Sequence, residues 1–451
     1  MLDRRSVLAA GAAFAAIPSY AAESDPFAGM APILARIKPP TFADRDFAIT
    51  DHGAREDRDC TDAFASAIAA CNAAGGGRVL VPDGTWQTGA IHLKSNVNLH
   101  LADHATIAFD RDSQRYPIVR TFWEGNEAMN YSPFVYAFGE ENIAITGKGT
   151  LDGQADPDHW WNWGRLARTS GARERLHTMA EAGTPPEQRA MGEGAYLRPN
   201  FIQPFRCRNI LLEGFTLLRS PMWQLHPLQS SNITVRGLTI DADGPNTDGC
   251  DPEMCRDLLI EDCKFNTGDD CIAIKAGRNA DGRRVAMPTE NVVIRQCEMK
   301  NGHGGVTLGS EISAGVRNVF VEDCHMDSPK LDYALRFKDN AMRGGLLEHF
   351  RARRITVGQV GKAVLNIDFN YEEGAKGPFT PVVRDVLVEK LAMSGPAPKV
   401  ADLQGFDNAR IENIVLRDCS FSGVAGPSIV KNVSGLRLEN IFVNGKEVSA
   451  L

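Results

Sequence analysis

The chain has no run of 18 apolar residues, a modest aromatic content of 8% and no surplus of positive charge. The first absence leaves no segment long enough to span a bilayer as a helix. A net charge of −8 argues against nucleic acid or an anionic membrane surface as a general partner, so an acidic ligand must be met by positive charge gathered locally. No glycine-rich loop stands between a strand and a helix, the setting in which a nucleotide cofactor is held. The residues call for no cofactor and no metal.

What is present is length, glycine and punctuation. A chain of 451 residues ordinarily divides into domains, because single cores stop growing near about 250–300 residues; a solenoid escapes that limit. Residues 1–21 read as an export signal. Asp3-Arg4-Arg5-Ser6-Val7-Leu8 is a twin-arginine pattern ahead of an Ala-rich run to Ile17, and Ser19-Tyr20-Ala21 offers a cleavage site. An ordinary secretory signal with paired arginines fits the same residues. Either route leads to the periplasm or the exterior. Residues 22–451 then read as one catalytic domain.

After a Pro-containing lead-in, Thr61 to Cys71 reads as a short helix with Thr61 as its cap and Phe64, Ile68 and Cys71 on one face, suited to covering the exposed end of a stack of strands. From Asn142 a phrase recurs: Asn or Asp, an alternating aliphatic run, a small or acidic turn, another apolar residue. It begins at Asn142, Asn209, Asn232, Asp257, Asn291, Asn318, Asp385 and Asn413. Steps of 23, 25, 34 and 27 residues from Asn209 to Asn318, without intervening helices, indicate the coils of an all-β parallel β-helix. Cys263, Cys297, Cys324 and Cys419 share the register held elsewhere by Phe215, Leu238 and Leu391, so they read as stacked core thiols rather than disulfides. Cys60 with Cys71 and Cys250 with Cys255 stay open as bridges. Residues 154–200 interrupt the repeat and should emerge on one face. Their Trp160-Trp161-Asn162-Trp163 has two readings, stacking on sugar rings or anchoring the insert.

Equivalent positions of successive coils stack about 5 Å apart. Asp248 and Asp269 are 21 residues apart, which puts them one above the other, with Asp270 adjacent. The next coils bring His303 in Gly302-His-Gly304, then Arg336 and Lys338, which alternation sets on one side of their strand. Crowded carboxylates cannot all ionise freely, so one holds a proton and acts as an acid while others remain bases, the division of labour that glycoside hydrolysis needs. The two cations suit a carboxylated sugar.

Asn246-Thr-Asp-Gly249, Gly268-Asp-Asp270, Gly302-His-Gly304 and Arg336-Phe-Lys338 resemble, in order, the four signature motifs of glycoside hydrolase family 28, the polygalacturonase family. The resemblance implies a right-handed parallel β-helix. It also implies that Asp269 protonates the glycosidic oxygen, that Asp248 and Asp270 activate water for inversion, and that His303 tunes the acid. Arg336, Lys338 and Tyr371 would bind galacturonate carboxylates in a pectic polysaccharide or oligogalacturonide. Phe337 stands where the family usually has Ile, and Met299 where a Cys is common, which leaves Cys271 without that disulfide. The loop from Trp123 and the phrase Ser220–Pro227 are more similar to bacterial, often exo-acting members, whose groove needs a wall; the insert is the candidate. Rival readings are a rhamnogalacturonan hydrolase on the same fold, a pectate lyase with the aspartates on Ca²⁺, and a non-catalytic carbohydrate-binding β-helix.

Overall fold

The computed structural model describes residues 25–451; the export signal expected at 1–21 lies outside them. The chain winds as a right-handed parallel β-helix in which each coil pairs with the next in parallel. One ladder runs through Ile143, Ile210, Ile233, Leu258, Val292, Val319, Phe350, Val386 and Ile414. These apolar side chains point inward and are almost fully buried. A core of this shape grows by adding coils without thickening, so it can fill along the whole chain.

The residue ahead of each ladder position turns the backbone. Asn142, Asn209, Asn232, Asp257, Asn291, Asn318, Asp385 and Asn413 all sit at φ between 54° and 62°, the left-handed region that Asn and Asp tolerate best among residues with a side chain. Their amides also bond coil to coil: Asn209 Nδ2 donates to Asn142 Oδ1 at 2.9 Å, Asn291 to Asp257 at 3.0 Å and Asn318 to Asn291 at 3.0 Å. The same conformation at Asn96 (φ 64°) and His349 (φ 55°) marks two coils that the recurring phrase does not reveal.

Phe215, Leu238, Cys263, Cys297, Cys324, Leu391 and Cys419 form the expected inward column. The thiols of Cys263, Cys297, Cys324 and Cys419 each donate to the carbonyl two residues back, at 3.2–3.4 Å. All ten cysteines are free and buried, so the bridges left open for Cys60/Cys71 and Cys250/Cys255 are not made. Cys60 and Cys255 instead point their thiols at the carbonyls of Arg55 and Pro227, 3.2 and 3.1 Å away.

Two helices close the surfaces that the coils leave open. Helix α1 (Met30–Arg36), in the stretch read only as a lead-in, straps the back of the solenoid. Phe27, Ile33 and Ile37 cover an outward-facing apolar group that includes Leu259, Val293 and Phe320. Helix α2 (Thr61–Ala73) packs Phe64, Ile68 and Cys71 over the first coil. Its cap differs from the expectation. Cys60 holds the N-cap position, while the Thr61 hydroxyl accepts from the Gly89 N–H at 2.8 Å and donates to Asp59 at 2.6 Å, fastening the helix start to the end of strand Gly84–Thr88. No helix among the described residues is long and apolar enough to cross a membrane.

The ladder asparagines carry a checkable consequence. Asn291→Ala loses the coil-to-coil amide bond and strains a left-handed backbone, so it should destabilise by about 1–3 kcal/mol. Asn291→Gly relieves the strain and should cost less. Urea denaturation midpoints of the two variants test this order.

Candidate active site

The site grows on the six-stranded sheet of Ile272–Ile274, Gly302–Leu308, Leu331–Lys338, Ala363–Asp368, Lys399–Gln404 and Ile429–Lys431. Its ladder continues backward through single bridges, Ile272 to Cys250, Cys250 to Leu225 and Leu225 to Ile202. The Cys250 to Ile272 bridge is a 22-residue step, which carries Asp248 opposite Asp270 rather than opposite Asp269 as the 21-residue count suggested. The Gly249 N–H donates to the Asp270 carbonyl at 3.0 Å in the same register. Oxygens of all three carboxylates nonetheless lie within 4.8 Å of one another.

The glycines of the motifs make room for this crowding. A Cβ on Gly302, at φ 135°, would fall 2.1 Å from the Asp269 carbonyl, and one on Gly304 would fall 2.9 Å from Asp270 Oδ1. Between them His303 sets Nδ1 2.9 Å from Asp269 Oδ1. Asp269 keeps 17% of its side chain exposed, whereas Asp248 and Asp270 keep 5% and 0%. Asp269 is therefore the carboxylate that faces the groove.

Arg336 and Lys338 do share one side of their strand, and what they hold in the unliganded site is Asp270. Lys338 Nζ lies 2.7 Å from its Oδ2, and Arg336 Nη1 lies 3.4 Å from its Oδ1. The Tyr371 ring stands 5.3 Å from Lys338 Nζ and 5.7 Å from the Arg336 guanidinium. All seven residues singled out in the sequence thus gather around one recess.

Neighbours missed in the sequence complete it. Lys275, at the end of the Asp-Asp motif strand, is buried 3.8 Å from Asp248, 3.4 Å from Asp251 and 3.2 Å from Glu311. Asp251, three residues past Asp248, has both oxygens buried without a hydrogen-bond partner, as does Oδ1 of Asp248. Neither Glu311 nor Lys275 belongs to the recurring phrase, so only the folded coils show that they meet.

This packing sorts the carboxyls by proton affinity. Burial, with Asp269 and Asp251 close by, holds Asp248 well above the ordinary carboxyl range. Burial likewise pushes Asp251 up to about 8, against the pull of Lys275. Burial pushes Asp270 the same way, but Lys338 and Arg336 outweigh it and leave it at about 2. The hydrogen bond to Asp269 raises His303. The site thus holds a proton beside a base that stays ionised in all but strong acid. As a divalent-metal site the three aspartates fit poorly, since cations already engage both oxygens of Asp270 and a third stands against Asp248.

The expected insert forms one side of the recess. It carries helices α3 (Trp163–Thr169) and α4 (Ala172–Glu181). Trp160 is buried against Tyr116 and Phe134, Trp161 donates to the Ser220 carbonyl at 2.9 Å, and Trp163 packs on Tyr131 and Tyr196. Of the two readings, the tryptophans anchor. Arg189, fully buried, is fastened to Asp281, in helix α5 (Asn279–Val285), so the insert is held against the coils rather than left mobile.

Comparisons with known proteins agree with this geometry. The family model "Glycosyl hydrolases family 28" matches residues 188–441. A probable polygalacturonase of Vitis vinifera is 30% identical over 74% of this chain and 66% of its own length, which is just under two thirds. An exo-poly-alpha-D-galacturonosidase of Dickeya chrysanthemi is 24% identical over 87% of this chain and 70% of its own. The crystal structure of a hyperthermoactive exopolygalacturonase from Thermotoga maritima superposes with a TM-score of 0.90 at 40% identity, covering 93% of this chain and 96% of that one.

The charge balance at Asp270 is open to direct titration. Its affinity for protons is depressed by the neighbouring cations, so it should stay ionised down to about pH 2. In Lys338→Met one of those cations is gone, and the same carboxyl should titrate at clearly higher pH, as read from its ¹³C chemical shift. An unchanged midpoint would mean that Lys338 does not set this charge.

Proposed function

Because the chain belongs to glycoside hydrolase family 28, we propose that it hydrolyses the α-1,4 galacturonosidic bonds of polygalacturonate, acting from a chain end and without a metal. The observation that carries this reading is the sorting of the three aspartates. Asp248 favours its proton, Asp270 is held ionised, and Asp269 faces the groove between them.

Asp269 is the general acid. Oxygens of Asp248 and Asp269 lie within 4.8 Å of each other, so one intervening water can carry to Asp269 the proton that burial holds at Asp248. Asp269 passes a proton to the glycosidic oxygen as the bond to the anomeric carbon breaks, and His303 holds its carboxyl in place. Water adds to that carbon and loses its proton to Asp270, with Asp248 helping to orient it. Arg336, Lys338 and Tyr371 receive the carboxylate of the sugar, which offers the two cations a second anion beside Asp270.

The carboxylate spacing bears on stereochemistry. Inverting glycosidases generally separate acid and base by roughly 6.5–9.5 Å, and retaining ones by about 5 Å; here the closest oxygens lie within 4.8 Å. We hold to inversion because Asp270, fully buried with both oxygens on cations, is a poor covalent nucleophile.

The anchored insert supports action at a chain end, since it bounds the recess on one side. The signal read in residues 1–21 supports export to the periplasm or the exterior, with pectic chains as the substrate.

Asp269→Asn should lower turnover on polygalacturonate by about 10²- to 10⁴-fold with an unchanged circular dichroism spectrum. The wild type should keep its activity in excess chelator and first release the β-anomer, visible by proton NMR before mutarotation. A fully active Asp269→Asn enzyme would remove the acid assignment. An unsaturated product absorbing in the ultraviolet would mean lyase chemistry instead.

A further inference from the structure

One ion pair on the wall of the recess takes no part in the chemistry above. Strands Ile118–Trp123 and Asn126–Tyr131 form an antiparallel hairpin whose turn is Glu124-Gly125. Gly125, at φ 76°, is pressed against the coils. A Cβ there would fall 2.7 Å from the backbone nitrogen of Arg278 and 2.8 Å from Cγ of Glu311, and the Gly125 carbonyl accepts the Arg278 N–H at 3.0 Å. Glu124 is itself left-handed, at φ 43°. With its neighbour docked in this way, its carboxylate lines the same recess as Asp248 and Asp269.

Helix α4 meets it from the insert. Arg173 Nη2 lies 2.8 Å from Glu124 Oε2, with 30% of the arginine side chain exposed and 12% of the glutamate. Among the described residues Arg173 makes no other ion pair, and its Nε finds no hydrogen-bond partner, nor does Nε2 of His177 one turn along. Arg278, by contrast, is engaged by Glu311, Glu372 and Glu373. Arg173 and Glu372 line both the catalytic recess and a neighbouring cleft of about 590 Å³, so they stand between the two spaces. A pair joining this hairpin to the insert, with donor capacity left over at the edge of the recess that Asp248 and Asp269 line, suits a ligand better than a purely structural bridge.

We propose that Glu124 and Arg173 form the chain-end stop of this site. Glu124 accepts the hydroxyl that only a terminal galacturonate presents, and Arg173 meets that sugar's carboxylate while closing the way into the cleft beyond. A continuing chain has a glycosidic oxygen where the free hydroxyl would be, which cannot donate to Glu124 and sets two acceptors against each other in a buried place.

The inference rests on action at a chain end, and the test separates the two. A spread of oligomers released by the wild type from the outset would remove the chain-end reading itself. With a wild type that releases end products alone, the stop is tested on trigalacturonates altered at one end: one with a 4,5-unsaturated non-reducing sugar, which lacks the O4 hydroxyl, and one capped as a methyl glycoside at the other end, which lacks the anomeric hydroxyl. The wild type should prefer the intact trimer over one of the two by about 100-fold or more in kcat/KM, because a site built to bind a hydroxyl rejects its absence strongly. Glu124→Gln and Glu124→Ala should both cut that preference at least about tenfold, and which trimer is affected assigns the end. Arg173→Ala should open the recess and add dimers and trimers to the products of polygalacturonate. Wild-type preference in both Glu124 variants together with an unchanged product profile in Arg173→Ala would overturn the stop.

Discussion

The coil spacing of a parallel β-helix, about 5 Å between neighbouring strands, is the constraint on which the rest of this molecule depends. It lets identical residues stack, and it forces them to. Asparagines stack profitably because an amide both donates and accepts. Aliphatic side chains and thiols stack because the interior is dry. Carboxylates gain nothing from such stacking unless a proton or a cation comes between them, and the site is built from that conflict. Asp248 opposite Asp270 is a like-charge pair resolved by a proton on one side and two cations on the other.

The cations are drawn from successive coils for the same reason. Lys275 rises from the coil of the Asp-Asp motif, Arg336 and Lys338 from two coils on. Buried charges of this kind are strongly destabilising if one partner is removed. The arrangement holds because Lys275 meets three carboxylates and Asp270 meets two cations. Burial penalises the charge on Lys275, yet Glu311, Asp251 and Asp248 more than restore it. The network thus fixes which carboxyl is neutral before any sugar arrives, and that choice matters more to acid–base chemistry than the number of acids present.

Much of this was legible in the chain because a solenoid repeats its instructions. The left-handed turn demands Asn or Asp, and the inward column demands aliphatic or thiol side chains, so both appear as a phrase. The coil at His349 escaped because its turn residue is neither, and Phe350-Arg-Ala breaks the aliphatic run. Motif spacing puts Asp248 one residue out of register, because the Cys250 to Ile272 bridge steps by 22 residues where the motifs suggest 21. Helix α1 was missed because its partners, Leu259, Val293 and Phe320, lie on the outward positions of distant coils. Lys275, Asp251, Glu124 and Arg173 carry no local signal, since each acquires its meaning from a neighbour that only the folded coils bring close.

On the proposed reading, this carboxyl cluster cleaves polygalacturonate by hydrolysis at a chain end. A timed product analysis of the purified protein on polygalacturonate, with rhamnogalacturonan beside it and no added metal, addresses that most directly. Saturated monomer or dimer alone should emerge from the first time points, with no cleavage of the second polymer. A ladder of mixed oligomers, or cleavage confined to rhamnogalacturonan, would contradict it.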